Sequence, residues 1–406
     1  MLQPETLRRL VRDQRPGFSL DQSFYVSEDV FESELDRFLG RQWMAAGHIS
    51  EIPRRGDYFV FEALNASVIV ARGADDAVHA MHNVCRHRGA KLCEQARGHT
   101  SLFTCRYHGW SYRINGEIAA WRHMPDGLDP KEFPLRRCGV AIVHGIILIS
   151  LDVSQAPDPV ALAAHTQAVW SRYDLGNSNV AISETYRITA NWKLAVENTL
   201  ECYHCLPCHP EYTAANAFVR ADEKASNADV DGFRRYQQQW RAALGPQVVT
   251  DAGGVKEVSG QITRARMSPL AAGRLTASPD GAPVAPLLGS IEAYDESVTT
   301  GCFGFLTYMA AMCDYALLVS YLPLSARSTD VNLKWLVRSD AREGVDYDAA
   351  KLRWLWEQTT LQDKSIVELN AAGVASRGYA PGPYSTLESM TADFVSRYLK
   401  LMEGAE

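Results

Sequence analysis

The sequence lacks any apolar run approaching the roughly 20 residues that a membrane-spanning helix needs. Its first stretch, MLQPETLRRLVRDQRPG, also lacks the apolar segment of a signal peptide, so a cytoplasmic chain with no membrane partner is expected. Excess positive charge is missing too. Lys and Arg number 41 against 48 Asp and Glu, a formal net charge of −7, which argues against a nucleic-acid or anionic-membrane partner. No GxGxxG or other nucleotide-binding loop occurs, so NAD(P)H and flavin are not expected on this chain itself. Internal repeats and low-complexity tracts are absent.

Cysteine is present, but its nine copies are odd in number and unevenly spread, which favours thiols and metal ligands over disulfides. A chain of 406 residues builds full hydrophobic cores in two domains without a metal staple, so a metal site here would be chemical. Cys93, Cys138, Cys302 and Cys313 read as small buried packing residues.

Between residues 24 and 47, Val30, Phe31, Leu35, Phe38 and Leu39 recur on one helical face behind a Ser27 N-cap. From Gly56 to about residue 153 the character changes to short β-like runs separated by Gly, Asn and Asp turns, as in a small antiparallel domain. SQAPDPVALAAHTQ marks a boundary. NWKLAVENTLECYHC then reads as a helix, and residues 221–300 read as long loops. Strands return at TTGCFGFLTYMAAM, YALLVSYLPLS and TDVNLKWLVR, followed by a helix stopped by Gly373 and a last helix from Thr386.

Two stretches carry the chemistry. In the first, Cys85-x-His87 and Cys105-x-x-His108 are separated by 17 residues, each pair in a Gly-containing loop. Spacing alone leaves two readings open, a closed structural zinc site and an iron–sulfur site. In the second, NWKLAVENTLECYHCLPCHPEY, the acids and histidines run Glu197-x3-Glu201-x2-His204-x4-His209. On a helix Glu197, Glu201 and His204 would share one face, and His204 and His209 would meet where the helix gives way at Pro207. Two imidazoles and one carboxylate bound facially to iron(II) leave positions open for O2 and substrate. Cys202, Cys205 and Cys208 interdigitate with these histidines and read as packing thiols.

Cys-x-His with Cys-x-x-His, flanked by CRHRG and CRYHGWSY, resembles the Rieske [2Fe-2S] motif, in which two thiolates and two imidazoles hold the cluster. Arg106 departs from the proline most relatives carry there. The second stretch resembles the mononuclear-iron signature of Rieske non-haem iron oxygenase α subunits, and the resemblance spans nearly the whole chain. It implies [2Fe-2S] binding by Cys85, His87, Cys105 and His108, and iron(II) binding by His204, His209 and a downstream carboxylate. Asp363, ahead of the PGPYS segment, matches that carboxylate, with Glu368 its nearest rival. Cys93, His99, His82 and His123 remain bystanders.

The resemblance further implies an α+β fold. A small antiparallel Rieske domain at 41–155 would join a helix-grip-like catalytic domain, 1–40 and 156–406, with an antiparallel sheet flanked by helices. It implies reductive use of O2 with electrons from a separate flavin/iron–sulfur reductase, or from a ferredoxin plus reductase. A head-to-tail homotrimer would follow, in which Glu201 bridges His204 to a cluster histidine of the next subunit, His108. Glutamate at 201, together with ECYHC and GRLTASPDGAPVAPLLG, resembles the quaternary-ammonium branch of glycine betaine and stachydrine demethylases and carnitine monooxygenase. There, oxidation of an N-methyl group releases formaldehyde.

A permanent cation is attracted to aromatic faces. Phe303, Phe305 and Tyr308 of GCFGFLTYMAAM are the substrate-contact candidates, with Phe303 and Phe305 on one face of a single strand, Tyr308 on the other, and core packing the competing role. The alternatives are an oxygenase for an aromatic acid and, in another class, a Rieske electron carrier without oxygenase activity.

Overall fold

The computed structural model describes residues 3–217 and 227–404. Near the N-terminus, Ser27 caps a helix at Glu28–Arg37, its side chain accepting from the Val30 amide. The helix buries Val30 and Phe31 but is shorter than the periodicity predicted. Residues Met44–His48 form strand β1, buried throughout, where a continuation of the helical pattern was expected.

Three small antiparallel sheets follow. β1 joins β9 (Gly139–Val143) and β10 (Ile146–Ser150) in the order β1-β10-β9. Strands β2 (Asp57–Ala63), β3 (Ala66–Arg72), β4 (Val78–His82) and β5 (Arg97–His99) make a four-stranded sheet, and β6 (Leu102–Thr104), β7 (Ser111–Arg113) and β8 (Ile118–Ala120) a three-stranded one. A compact core of Ile69, Met81, Phe103, Trp110, Tyr112 and Leu135 lies between them and includes Cys85, Cys93 and Cys105.

The larger half is a seven-stranded antiparallel sheet. Its strands are β11 (Ser178–Ile188), β12 (Lys256–Val258), β13 (Gln261–Pro269), β14 (Ser297–Phe303), β15 (Thr307–Ala311), β16 (Ala316–Ser325) and β17 (Ser328–Arg338), in the order β11-β17-β16-β15-β14-β13-β12. Alternation decides which side each residue serves. Leu318 and Met309 point into a core with Trp170 of the helix Pro159–Trp170, whereas Leu317, Val319 and Tyr308 face a cavity. The helices Trp192–Thr199 and Ala349–Val374 cover that cavity face. The α+β class with a small β domain and a helix-flanked antiparallel sheet is therefore the architecture found.

Three further expectations need correction. The stretch 221–300 is not all loop: Asn227–Leu244 is helical, and β12 and β13 follow it. Phe233, Tyr236, Trp240 and Leu244 carry that helix, and Trp240 Nε1 donates to the Asp295 carbonyl at 2.8 Å. Its abundant Arg and Gln, with Gly232, hide the period. Residues 221–226 lie outside the described residues. GCFGFLTYMAAM is not one strand but the end of β14, a bend at Gly304–Leu306, and β15. The helix from Trp192 ends at Thr199, not beyond His204. No described helix is long and apolar enough to cross a membrane.

Candidate metal centres and substrate cavity

The Cys85–Ala90 and Cys105–Trp110 loops are built alike. In each, the cysteine amide donates to a carbonyl five residues on (2.8 Å), and its carbonyl accepts from the glycine amide four residues on (3.0 Å). Gly89 and Gly109 hold φ +78° and +74°, left-handed values that a side chain would strain. The two turns thereby present their side chains to a common point. Cys85 and Cys105 are buried and adjoin one another, and burial pushes the Cys85 thiol up. His87 and His108 lie at the surface with their Nδ1 atoms 3.1 Å apart. Two buried sulfurs beside two facing ring nitrogens form the donor set a Rieske cluster requires.

Tyr112, two residues beyond Trp110, places its hydroxyl 3.3 Å from Cys85 Sγ and accepts the Arg86 amide at 3.0 Å. His87 stacks on Trp110 at 4.9 Å. Arg106 is exposed and pairs with Glu94 at 3.2 Å. His99 pairs with Asp57 at 2.9 Å, and Cys93 is buried in the adjoining core.

The second centre joins distant parts of the chain. Asn191 caps the helix Trp192–Thr199 by accepting from the Lys193 amide, and the chain then turns at 200–204 before a short helix at Cys205–Cys208. The break falls at His209 rather than Pro207, ahead of the helix Pro210–Ala215. His204 and His209 meet with ring centroids 5.0 Å apart. Asp363, on the long helix Ala349–Val374, places Oδ1 3.4 Å from His204 Nε2 and 3.0 Å from His209 Nε2. The three ligand atoms lie within 4.8 Å of one another. His209 Nε2 and Asp363 Oδ1 are buried and make no hydrogen bond despite facing each other, so these atoms fit a cation between them.

The far side of each imidazole is oriented. His204 Nδ1 faces Glu201 Oε1 at 2.5 Å, and His209 Nδ1 faces Gln362 Oε1 at 2.8 Å. Gln362 in turn donates to Glu211 at 2.8 Å. Such outer partners set which ring nitrogen is left for a metal. Burial pulls His204 down, but Asp363 and Glu201 outweigh it and hold the ring up at about 9. Asp363 is held below the usual carboxylate range; burial opposes this, and the facing imidazoles of His204 and His209 prevail.

Glu197 does not share a face with Glu201 and His204, because the helix has ended before Glu201. It is buried instead among the hydroxyls of Tyr25 (2.9 Å) and Tyr384 (3.1 Å). Glu368 also turns away, toward Lys364 and the Thr189 amide. Cys202 and Cys205 form a disulfide across Tyr203 and His204, where packing thiols were expected. Only four residues there are helical, so the chain can fold Cys202 back onto Cys205.

Beside the triad lies a cavity of about 430 Å³, the size of a small-molecule site. An aromatic wall leads away from the triad: His209 to Tyr212 (6.4 Å), Tyr212 to Trp356 (6.0 Å), Trp356 to Tyr308 (6.3 Å). Tyr308 and Phe305 line it, Phe305 packing on Phe394 at 5.0 Å. Phe303 does not. The bend at Gly304 breaks the parity, and Phe303 is fully buried in the core on the opposite side of the sheet. Cys302, expected to be buried packing, is partly exposed in the cavity wall.

Tyr212, Trp356, Gln362, Arg264 and Arg266 were missed. Trp356, Thr359, Thr360 and Val367 could have been found by stepping along the helix from Asp363 at intervals of three and four.

Comparison with known proteins adds to this geometry. Residues 42–136 match the model of the Rieske [2Fe-2S] domain, and residues 175–404 that of the ring hydroxylating alpha subunit catalytic domain. The glycine betaine monooxygenase oxygenase subunit of Pseudomonas aeruginosa is 35% identical over 97% of this chain and 91% of its own length. The carnitine monooxygenase oxygenase subunit of Acinetobacter pittii is 30% identical over 51% of this chain and 61% of its own. The solved structure of a quaternary ammonium Rieske monooxygenase superposes with a TM-score of 0.71 at 18% identity, covering 98% of each chain.

Proposed function

The chain belongs to the ring-hydroxylating oxygenase α subunits that carry a Rieske [2Fe-2S] domain, and on that premise we propose that it oxidises an N-methyl group of a small quaternary ammonium compound. As a member of this family it is an oxidoreductase that uses O2, mononuclear iron and the cluster, and a separate reductase supplies its electrons. The observation that carries the substrate reading is the wall Tyr212–Trp356–Tyr308, which starts at an iron ligand and offers electron-rich faces to a cation needing no hydrogen-bond donor. The glycine betaine and carnitine relatives support it.

Iron at the triad supplies O2 activation when bound, with electrons delivered by way of the cluster. In this reading His204, His209 and Asp363 hold that ion, while Cys85, Cys105, His87 and His108 hold the cluster. Glu201 accepts the Nδ1 proton of His204 and Gln362 that of His209, so both Nε2 lone pairs face the metal. The aromatic wall binds and orients the ammonium. One oxygen atom of O2 replaces a methyl C–H by C–OH, the other leaving as water with two electrons from the reductase and two protons; the C–N bond of the resulting N-hydroxymethyl group then breaks, its electron pair staying on nitrogen, to give the tertiary amine, formaldehyde and a proton.

Assembly as a cyclic homotrimer gives Glu201 a second partner. His108 is exposed on its own chain and so available to a carboxylate of the next subunit, in a heterologous interface that closes on itself. A division into 41–155 and the remainder is supported by the three small sheets, whose strands all fall within 44–150.

The test is a single turnover. Reduced, iron-loaded protein is given O2 with glycine betaine, carnitine or an aromatic acid, and formaldehyde and hydroxylated product are quantified. Formaldehyde from one N-methyl compound is expected. A hydroxylated aromatic acid without formaldehyde would select ring oxidation, a second reading that the two arginines in the cavity wall also favour.

A further inference from the structure

We propose that Arg264 binds a carboxylate at the end of the substrate remote from the oxidised methyl group, so that the cavity selects zwitterions over simple ammonium ions; this rests on the ammonium reading above. On β13, Arg264, Arg266 and Ser268 face the cavity, while Ala265 and Met267 are buried on the other side. The two arginines differ. Arg266 is paired by charge with the Asp251 carboxylate, 3.9 Å from its Nε and beyond hydrogen-bond reach, and Asp251 also accepts the Gly253 and Gly254 amides. Arg264 has no carboxylate within 4 Å among the described residues, and its side chain donates only to the Met390 thioether, at 2.9 Å. A thioether is a weak acceptor, and a guanidinium has five N–H donors to satisfy. A carboxylate fills two of them in one plane.

Register fixes where that donor sits. Arg264 pairs with Cys302 and Cys302 with Tyr308, so the three form one row across β13, β14 and β15 on the cavity face. At a strand spacing of about 4.8 Å, the Cα atoms of Arg264 and Tyr308 are about 10 Å apart, a span that the arginine side chain largely closes. Tyr308 is where the aromatic wall from His209 ends. The cavity is therefore polarised: Glu201 and Asp363 line it with the metal ligands, while Arg264 and Arg266 line it from β13. A small zwitterion fits this field in one orientation, with its N-methyl groups toward the triad. A simple trialkylammonium compound satisfies one end only.

The experiment is isothermal titration of the iron-loaded protein, wild type, Arg264→Gln and Arg264→Lys, with three ligands of closely similar shape. Glycine betaine carries both charges, choline lacks the carboxylate, and 3,3-dimethylbutyrate lacks the ammonium. Wild type is expected to bind glycine betaine at least tenfold more tightly than choline. Arg264→Gln should weaken glycine betaine and 3,3-dimethylbutyrate by roughly 10- to 100-fold and leave choline unchanged, with Arg264→Lys falling between. Choline binding shows that each variant is folded. Equal wild-type affinity for glycine betaine and choline, or an Arg264→Lys protein that binds choline normally and glycine betaine as wild type does alongside an unaffected Arg264→Gln, overturns the assignment and leaves the ammonium reading standing. A wild type that binds 3,3-dimethylbutyrate more tightly than either ammonium compound removes the ammonium reading, and this specificity with it.

Discussion

The 85–108 cluster and the 204–363 cluster bring candidate metal donors together in opposite ways. The first is local: two hydrogen-bonded turns of one design, twenty residues apart in sequence, put sulfur inside and imidazole at the surface. The second is assembled across the chain from a helix break and a distant helix, with His209 buried and a cavity alongside. A centre that exchanges electrons with other proteins needs an exposed edge. One that handles a substrate needs enclosure, because excluding water strengthens every charge interaction in it.

The contrast can be broken from either side. Asp363→Ala should have the largest effect, cutting turnover by more than about 100-fold and removing the mononuclear iron while the cluster's visible absorption stays. Metal analysis alongside the spectrum checks this; loss of the cluster as well would mean that the two centres are not independent.

Glu201→Gln should slow turnover by roughly 10- to 100-fold with both metals in place. Normal turnover would remove its orienting and bridging roles together.

Glu197 probes what supports the buried centre. Burial raises its carboxyl from 4.5 to about 7. The folded chain therefore binds a proton between these values that the unfolded chain does not. The group costs nothing below pH 4.5, and its cost grows through the window and is complete above pH 7. Relative to wild type, Glu197→Gln should gain up to about 3 kcal/mol between pH 4.5 and 7.5. Denaturant melts at both ends of that range measure it, and a constant difference would show that Glu197 does not titrate there.

The smallest effect should come from Tyr112→Phe, which removes the hydroxyl beside Cys85 Sγ. A hydrogen bond to a ligand sulfur favours the reduced cluster, so its loss should lower the potential by about 40 mV, the one-electron equivalent of about 1 kcal/mol. Redox titration of the cluster checks the sign.

The comparison also explains what the sequence could show. The first centre was legible because its residues are contiguous, with a glycine in each loop marking the turn. His204, His209 and Asp363 were placed by resemblance to a family signature, and their convergence is a fact of the tertiary fold. Glu197 was assigned to the wrong face because helical periodicity was carried past Thr199, where the helix stops. Phe303 went the same way: period-two alternation was carried through Gly304, which bends the chain. The cavity arginines were invisible for another reason. Arg264 and Arg266 lie in a stretch read as loop, and only strand pairing reveals that they face the triad's cavity.

The most direct test of the division of labour follows the cluster absorption after the reduced protein is mixed with O2 and glycine betaine. The account predicts that wild type reoxidises its cluster as formaldehyde forms, and that Asp363→Ala retains a reduced cluster and forms none. Equally fast reoxidation in Asp363→Ala would contradict it, because electrons would then be leaving the cluster without passing through the triad.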